Sequence, residues 1–489
     1  MCKFIAWAAL AASVGCAWAA EGQAGTATRG DASGRLNILL ITADDMNYDS
    51  VGVAGCRVPE VTPNIDRLAA DGVRFIQAHV TIAVCQPCRS VLMTGRYPHR
   101  NGAMGFEPID VKVPTLQEHL REAGYLNGIL GKVSHLEPVE KFCWDFVVKQ
   151  DELGQGRSPA EYGRHARAFF ERAKAEQKPF FLMANSLDPH RPFAGSEQER
   201  NYAERRNVAF PGVSRSYRTD EVEVPPFLPD LPDVRREVAQ YFASVHRCDE
   251  TVGAVLTALA DAGLAEHTLV MFLSDNGMAF PFAKTNCYLA STRTPWIVRW
   301  PNVTEGGRVD DRHFISGIDF MPTVLEAAGV PAPAGMDGRS FAPLLAGRTQ
   351  HEREDVFTVF HETSAKRAYP MRCVQNRRFG YIYNAWSDGQ TVFHNESQSG
   401  LTFRAMQAAA ENDPAVAARV RLFQYRVPEE LYDIEKDPHA LRNLADDPAH
   451  RDVLARMRER MDEVMANCDD PLLPVFRKDV LASSWQEAR

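Results

Sequence analysis

Near-continuous apolar runs that stop on acidic or amide residues punctuate this chain. Leu36-Asn37-Ile38-Leu39-Leu40-Ile41-Thr42 leads into Ala43-Asp44-Asp45, and Leu269-Val270-Met271-Phe272-Leu273-Ser274 leads into Asp275-Asn276-Gly277. Such runs predict strands buried on both faces of a parallel sheet, with polar groups at their carboxyl ends. Shorter strands are predicted at 73–75, 125–130 and 180–184. Helical signals lie between them: Pro63 in the first turn of a helix, a helix opening at Thr115, and a long amphipathic helix over 235–259. Strands alternating with helices predict an α/β fold with a large, mainly parallel sheet between helices. The segment 195–233, rich in Pro, Arg and Tyr, is predicted as an irregular surface excursion lining a pocket. After about 348 the pattern changes. Strands at 356–360 and 378–383, then a charged helix over 451–465, predict a smaller C-terminal α+β subdomain with an antiparallel sheet.

The chain has 489 residues, enough for a large catalytic domain plus a smaller one. The expected division is a signal peptide over 1–19, a flexible leader over 20–35, a catalytic domain over 36–350 and the C-terminal subdomain over 351–489. Lys3, the apolar run 4–17 and Ala17-Trp18-Ala19 supply the charged, apolar and small-residue parts of the signal peptide. Export to the periplasm or outside the cell is therefore expected, with lipid anchoring at Cys16 as the weaker alternative. No membrane span is expected after the leader. The net charge of −9 provides no basic face for nucleic acid. A polyanionic substrate would need a local cluster of Arg, Lys and His. Of the 10 cysteines, Cys2 and Cys16 leave with the signal peptide, and the spacing of the rest fixes no pairing.

In open parallel sheets ligands bind outside the carboxyl ends of the strands, which makes Asp44, Asp45, Asp275 and Asn276 the first candidates. Hard oxygen donors of this kind suit Ca²⁺ or Mg²⁺, although an isolated Asp-Asp pair equally fits a solvated turn or a helix cap. The strongest motif runs from Cys85 to Arg96: C-x-P-x-R followed by Thr94-Gly95-Arg96. Cys85 and Cys88 alone would fit a redox pair or half a zinc site, a reading that leaves Pro87 and Arg89 unexplained. Arg89 falls one turn along a helix opening at Cys85, where its guanidinium can brace the loop. An anion gripped near Cys85 needs convergent cations.

The Cys85–Arg96 segment resembles the signature of the formylglycine-dependent (type I) sulfatases of the alkaline phosphatase-like superfamily. That resemblance implies oxidation of Cys85 to formylglycine (3-oxoalanine) by a formylglycine-generating enzyme. One hydroxyl of the hydrated aldehyde would attack sulfur, and the other would expel sulfate by collapse to the aldehyde. By the same resemblance, Asp44, Asp45, Asp275, Asn276 and residue 85 hold Ca²⁺. Arg89, Lys132, His135, His190 and Lys284 join Cys85 as catalytic residues, with His190 the acid for the leaving group. Lys132, His190, Arg191 and Lys284 contact substrate.

Further stretches look like the N-sulfoglucosamine sulfohydrolase (sulfamidase) branch of that family, over about 36–470. They include Pro98-His99-Arg100-Asn101-Gly102, Ser274-Asp275-Asn276-Gly277-Met278-Ala279-Phe280-Pro281, Tyr369-Pro370-Met371-Arg372-Cys373 and Leu431-Tyr432-Asp433. By analogy with that branch, His361 and Glu362 are expected to touch the sugar. The expected activity is hydrolysis of a sulfamate or sulfate ester on a glycosaminoglycan-like sugar, N-sulfoglucosamine first. An O-sulfatase acting on glucosamine 6-sulfate or another sulfated polysaccharide stays open. So do a phosphate or phosphonate monoesterase on the same fold, an inactive glycan-binding relative, and a homodimer.

Overall fold

Every residue of Asn37–Asp44 is buried, and this strand, β1, is the centre of the fold. The structure is a computed structural model and describes residues 34–482. The expected signal peptide, Cys16 and the leader up to residue 33 lie outside the described residues. The further strands, in chain order, are β2 (Val73–Phe75), β3 (Ala78–His79), β4 (Leu126–Leu130), β5 (Phe146–Val148), β6 (Phe180–Pro189) and β7 (Thr268–Ser274). After them come β8 (Trp296–Arg299), β9 (Arg308–Asp310), β10 (Ile315–Ser316), β11 (Asp355–Glu362), β12 (Ala368–Asn376), β13 (Phe379–Asn384) and β14 (Glu429–Asp433).

The main sheet has eight strands in the order β5-β4-β6-β1-β7-β8-β2-β9. β8 pairs antiparallel with both its neighbours, and all the other pairings are parallel. This is the mainly parallel sheet that the alternating pattern predicts. Ile38, Leu39, Leu40 and Ile41 have no exposure at all. Burying each such side chain stabilises the fold by about 1.5–3 kcal/mol. β1 lies between β6 and β7, with Ile41 opposite Ala184 on one side and Phe272 on the other. The chain moves outward through β4 and β5, returns through β6, and crosses to the far side of β1 through β7. The carboxyl ends of β6, β1 and β7 thus lie side by side at a switch in strand order, where α/β sheets bind ligands.

Helices cover the sheet. Pro232–Asp261 is 30 residues long, exceeding the 235–259 expected, because Pro at its first turn starts it early. β11, β12, β13 and β14 form a separate four-stranded antiparallel sheet in that order. It docks on the larger unit through backbone: Val359 N–H donates to the Thr81 carbonyl at 2.8 Å. The excursion over 195–233 is not wholly irregular, since Glu197–Arg206 is a helix. It buries no residue, so it has no apolar periodicity to read. Its ends define it instead: the Ser196 hydroxyl accepts from Glu199 N–H, Glu197 and Glu199 lie in the first turn, and Arg205 and Arg206 in the last.

The cysteines of the described residues, 56, 85, 88, 143, 248, 287, 373 and 468, are all free thiols. No helix among those residues is long and apolar enough to cross a membrane. The segment after the helix Arg451–Asn467 is pinned by Arg372 on β12, which grips Asp470 with Nε at 2.5 Å and Nη2 at 3.0 Å; both side chains are fully buried. Arg372→Met leaves Asp470 charged and unpaired in the interior. It should destabilise the protein by about 3–5 kcal/mol in chemical denaturation. Unchanged stability would mean that this ion pair is not what holds the C-terminal segment.

Candidate active site

Asp44 closes β1 and Asp45 follows it in the left-handed region, with φ of 72°, so the two carboxylates diverge. Asp275 and Asn276 follow β7 next door. All four side chains have no exposure. Asp45 N–H donates to Asp275 Oδ1 at 3.1 Å, and Asn276 Nδ2 donates to Asp45 Oδ1 at 2.7 Å. Buried carboxylates this close resist ionising together. Burial, partly opposed by Lys284, pushes Asp45 up to about 7. Burial, partly opposed by Arg89, does the same at Asp275. At Asp44 burial also disfavours charge, but Lys132, His190, Arg89 and Lys284 outweigh it and hold the group well below its usual range.

Cys85 is the first residue of the helix Cys85–Thr94, after Val84 in extended conformation. The helix ends on Gly95, whose φ of 61° suits glycine. Arg89, one turn on and fully buried, closes the Cys85 end. Its Nη1 donates to the Cys85 carbonyl at 3.1 Å and ion-pairs with Asp275, and its Nη2 lies 3.9 Å from Asp44. Lys132, after β4 with φ of 55°, ion-pairs with Asp44. Lys284 donates to Asp45 at 2.8 Å and ion-pairs with Glu396. His190, just after β6, directs Nε2 at Asp45 Oδ2 (4.0 Å) and Glu396 Oε2 (3.6 Å), while Nδ1 lies 2.6 Å from the Arg191 carbonyl. Burial and Lys284 depress the basicity of His190. His135 ends a turn at 133–135. Burial, then Lys132 and Arg89, lower its pKa strongly, and its Nδ1 has no partner.

The structure therefore brings together Cys85, Arg89, Lys132, His190, Lys284, Asp44, Asp45, Asp275 and Asn276, with His135 beside Lys132. The remaining candidates are engaged in other contacts. Arg191 is engaged internally: Nη1 donates to Glu237 at 2.6 Å, and Nε and Nη2 donate to the Ala279 carbonyl at 3.1 and 3.0 Å. His361 is only 8% exposed, and its ring packs edge-on against His99. Glu362 is half-buried over Gly105, and burial and nearby Glu107 raise its pKa.

Two members of the cluster carry no motif. Glu396, on a short turn over 396–399, reaches the site from the C-terminal part of the chain. Burial opposes its ionisation, yet Lys284 and His190 hold its pKa at about 2. Asn185 lies within β6; its Oδ1 accepts from Thr42 at 2.7 Å and Arg89 Nε at 3.4 Å. A polar residue following an apolar strand run, the signal that singled out Asp44, would also have found Asn185.

The donor set fits a hard divalent cation. Neither oxygen of Asp44 accepts a hydrogen bond, although Lys132 is paired with Oδ2, and Asn276 Oδ1 is likewise buried without a partner. Ligand atoms of Asp44, Asp45 and His190 lie within 4.8 Å of one another, and the oxygens of Asp44 and Asp45, with those of the neighbouring Asp275 and Asn276, could hold Ca²⁺ or Mg²⁺.

Residues 36–330 match the family model described as sulfatase, and residues 279–393 match N-sulphoglucosamine sulphohydrolase, C-terminal. The chain belongs to the sulfatase family. It is a hydrolase of sulfate esters or sulfamates. It is 31% identical over 476 residues to N-sulphoglucosamine sulphohydrolase of Homo sapiens, covering 89% of this sulfatase and 91% of that protein. It is 27% identical over 438 residues to an ulvan-active sulfatase of Formosa agariphila, covering 88% and 80%. One similar fold is that of a protein solved in complex with its substrate D-glucosamine-2-N,6-O-disulfate (TM-score 0.67, 19% identity, 89% and 99% covered). Another is the phosphonate monoester hydrolase of Agrobacterium radiobacter (TM-score 0.64, 19% identity, 89% and 96% covered). The sulfatase fold is therefore alkaline phosphatase-like.

The loop carrying His190 is fixed by Asp188, which is fully buried between two arginines. Arg247 Nε donates to Asp188 at 2.7 Å, and Arg157 ion-pairs with the same carboxylate and donates from Nη2 to the His190 carbonyl at 2.9 Å. Asp188→Ala leaves Arg157 without its carboxylate and Arg247 with only Glu199, 3.8 Å away. It should lower stability by about 3–5 kcal/mol in denaturant titration. A variant as stable as the parent would show that this carboxylate does not brace the loop.

Proposed function

We propose that this sulfatase removes a sulfate group from a glycosaminoglycan-like sugar, with N-sulfated glucosamine as the first substrate. In this reading residue 85 acts as formylglycine and Ca²⁺ is the metal. The observation that carries it is the convergence of Lys132, Lys284 and His190 with the Asp44–Asp45–Asp275–Asn276 cluster at the head of the helix bearing Cys85. The sulfohydrolase relative from Homo sapiens supports the N-sulfated sugar. An O-sulfated glucosamine is the neighbouring possibility.

Formylglycine and Ca²⁺, when present, supply a metal-held hydroxyl nucleophile at neutral pH. The chain's own residues do the rest. Asp44, Asp45, Asp275 and the Asn276 carbonyl would hold the ion. Arg89 fixes residue 85 through its carbonyl and orients Asp275. Lys132 and Lys284 approach from two sides and would neutralise the sulfate oxygens as charge builds. His190 donates Nδ1–H to the Arg191 carbonyl, so Nε2 would hand a proton to the departing nitrogen or oxygen from the imidazolium form, which Glu396, 3.6 Å from Nε2, favours against the burial that disfavours it. Burial drives the Cys85 thiol up to about 12, so the unconverted folded protein has almost no thiolate. Conversion by a maturing enzyme would precede folding, in keeping with export.

With residue 85 shown by mass spectrometry to be formylglycine, inorganic sulfate should be released from glucosamine N-sulfate. Release only from glucosamine 6-sulfate would move the substrate to an O-sulfated sugar. Phosphate release from monoesters with no sulfate release would overturn the reading. Cys85→Ala should reduce sulfate release by about 10³-fold or more, since nothing replaces the nucleophile. Elemental analysis should find one Ca²⁺ per chain, and chelation should lower the melting temperature as well as activity, both recovering when Ca²⁺ is restored. A metal-free protein of unchanged melting temperature would refute the ion's role.

A further inference from the structure

The partly exposed members of the catalytic cluster are His190, with 22% of its side chain accessible, and Glu396, with 33%. Glu396 and Arg191 also line a cavity of about 600 Å³. The cavity is built by helices that the sulfatase chemistry does not use: Glu197–Arg206, the start of Pro232–Asp261, and Leu401–Ala410.

Its charge is one-sided. Arg191 is neutralised by Glu237, which also accepts from Leu401 N–H at 2.9 Å and Thr402 N–H at 2.8 Å. That buried pair forms a neutral floor and fixes the helix Leu401–Ala410 over it. The rim carries Arg200, Arg205, Arg236 and Arg404, all exposed. Arg236 pairs with Asp233 at 3.1 Å. Arg200 donates only to the Gly195 carbonyl, at 3.0 Å, and Arg205 lies against the Tyr202 ring. Arg404 has no hydrogen-bond or ion-pair partner among the described residues. Against these stand Glu197, exposed on the same rim, and Glu396, which is tied to Lys284. Three arginines without a carboxylate partner around one cavity are unexpected in a chain of net charge −9.

We propose that this cavity receives a second anionic group of the substrate, a carboxylate or sulfate on the sugar next to the one being desulfated. The enzyme would then select multiply charged saccharides of two or more residues. Glu396 stands between the two anion positions. Its carboxylate repels anions and accepts hydrogen bonds, so hydroxyl or amine groups of the substrate pass beside it while one anion reaches Lys132 and Lys284 and the other the arginine rim. The helix Glu197–Arg206 is then a specificity element. The proposal rests on the sulfatase reading only for where the scissile group lies.

The test is equilibrium binding to the full chain carrying Cys85→Ala, which separates recognition from turnover. The probes are a disaccharide of N-sulfated glucosamine linked to a uronic acid and the same disaccharide with its carboxyl group reduced to an alcohol. The carboxylate form should bind about tenfold more tightly, the effect of two or three partly exposed ion pairs. Adding Arg200→Ala, Arg205→Ala and Arg404→Ala together should bring the ratio to about one. These exposed side chains pack into no core, and a matching melting temperature checks the fold. Equal binding of the two disaccharides, or a preference that survives the triple substitution, would overturn the proposal. If the matured enzyme released sulfate from neither disaccharide while the binding preference held, the substrate reading would fail and the cavity's role would stand.

Discussion

The structure depends on a concentration of negative charge where charge is hardest to keep. Asp44, Asp45 and Asp275 meet at the ends of two adjacent strands with no access to solvent. Removing an ion from water costs several kcal/mol, so such a cluster exists only if cations are built around it. Arg89, Lys132 and Lys284 are those cations, and each comes from a different place: a helix, the end of a strand, and a loop. Their arrangement fixes the orientation of the helix bearing Cys85, the left-handed turn at Lys132, and the approach of the C-terminal segment through Glu396.

Much of this is written in the order of residues. A strand buried on both faces must be apolar throughout, so the polar residues that end β1 and β7 stand out. The Cys85–Arg96 motif is compact because one helical turn sets the distance from residue 85 to Arg89. The mainly parallel sheet follows from strands alternating with helices. Glu396 was not readable. Its position depends on how a distant turn packs across the larger unit, and a lone glutamate on a short turn carries no periodicity. The helix Glu197–Arg206 escaped for a related reason, having caps and end charges but no buried face.

Two residues show how a motif can mislead about reach. Arg191 sits in the stretch that supplies His190, yet Glu237 and the Ala279 carbonyl occupy its guanidinium, with the Phe193 ring 4.4 Å away. It shapes the floor under the site. His361 lies on a strand packed against the larger unit, so its ring is enclosed beside His99. Nearness in sequence to a functional stretch fixed neither side chain's surroundings; packing did.

The late position of Glu396 has a consequence for biosynthesis. A ribosome makes Asp44, Asp45, Cys85, Lys132, His190 and Lys284 well before it reaches residue 396, and Arg372 must wait longer still for Asp470. Until then Lys284 has Asp45 as its only carboxylate partner, and the wall facing His190 is missing. A chain cut short after the main sheet would carry nearly every reactive group and still lack a finished pocket. Completion of the active site thus reports that synthesis has passed residue 396.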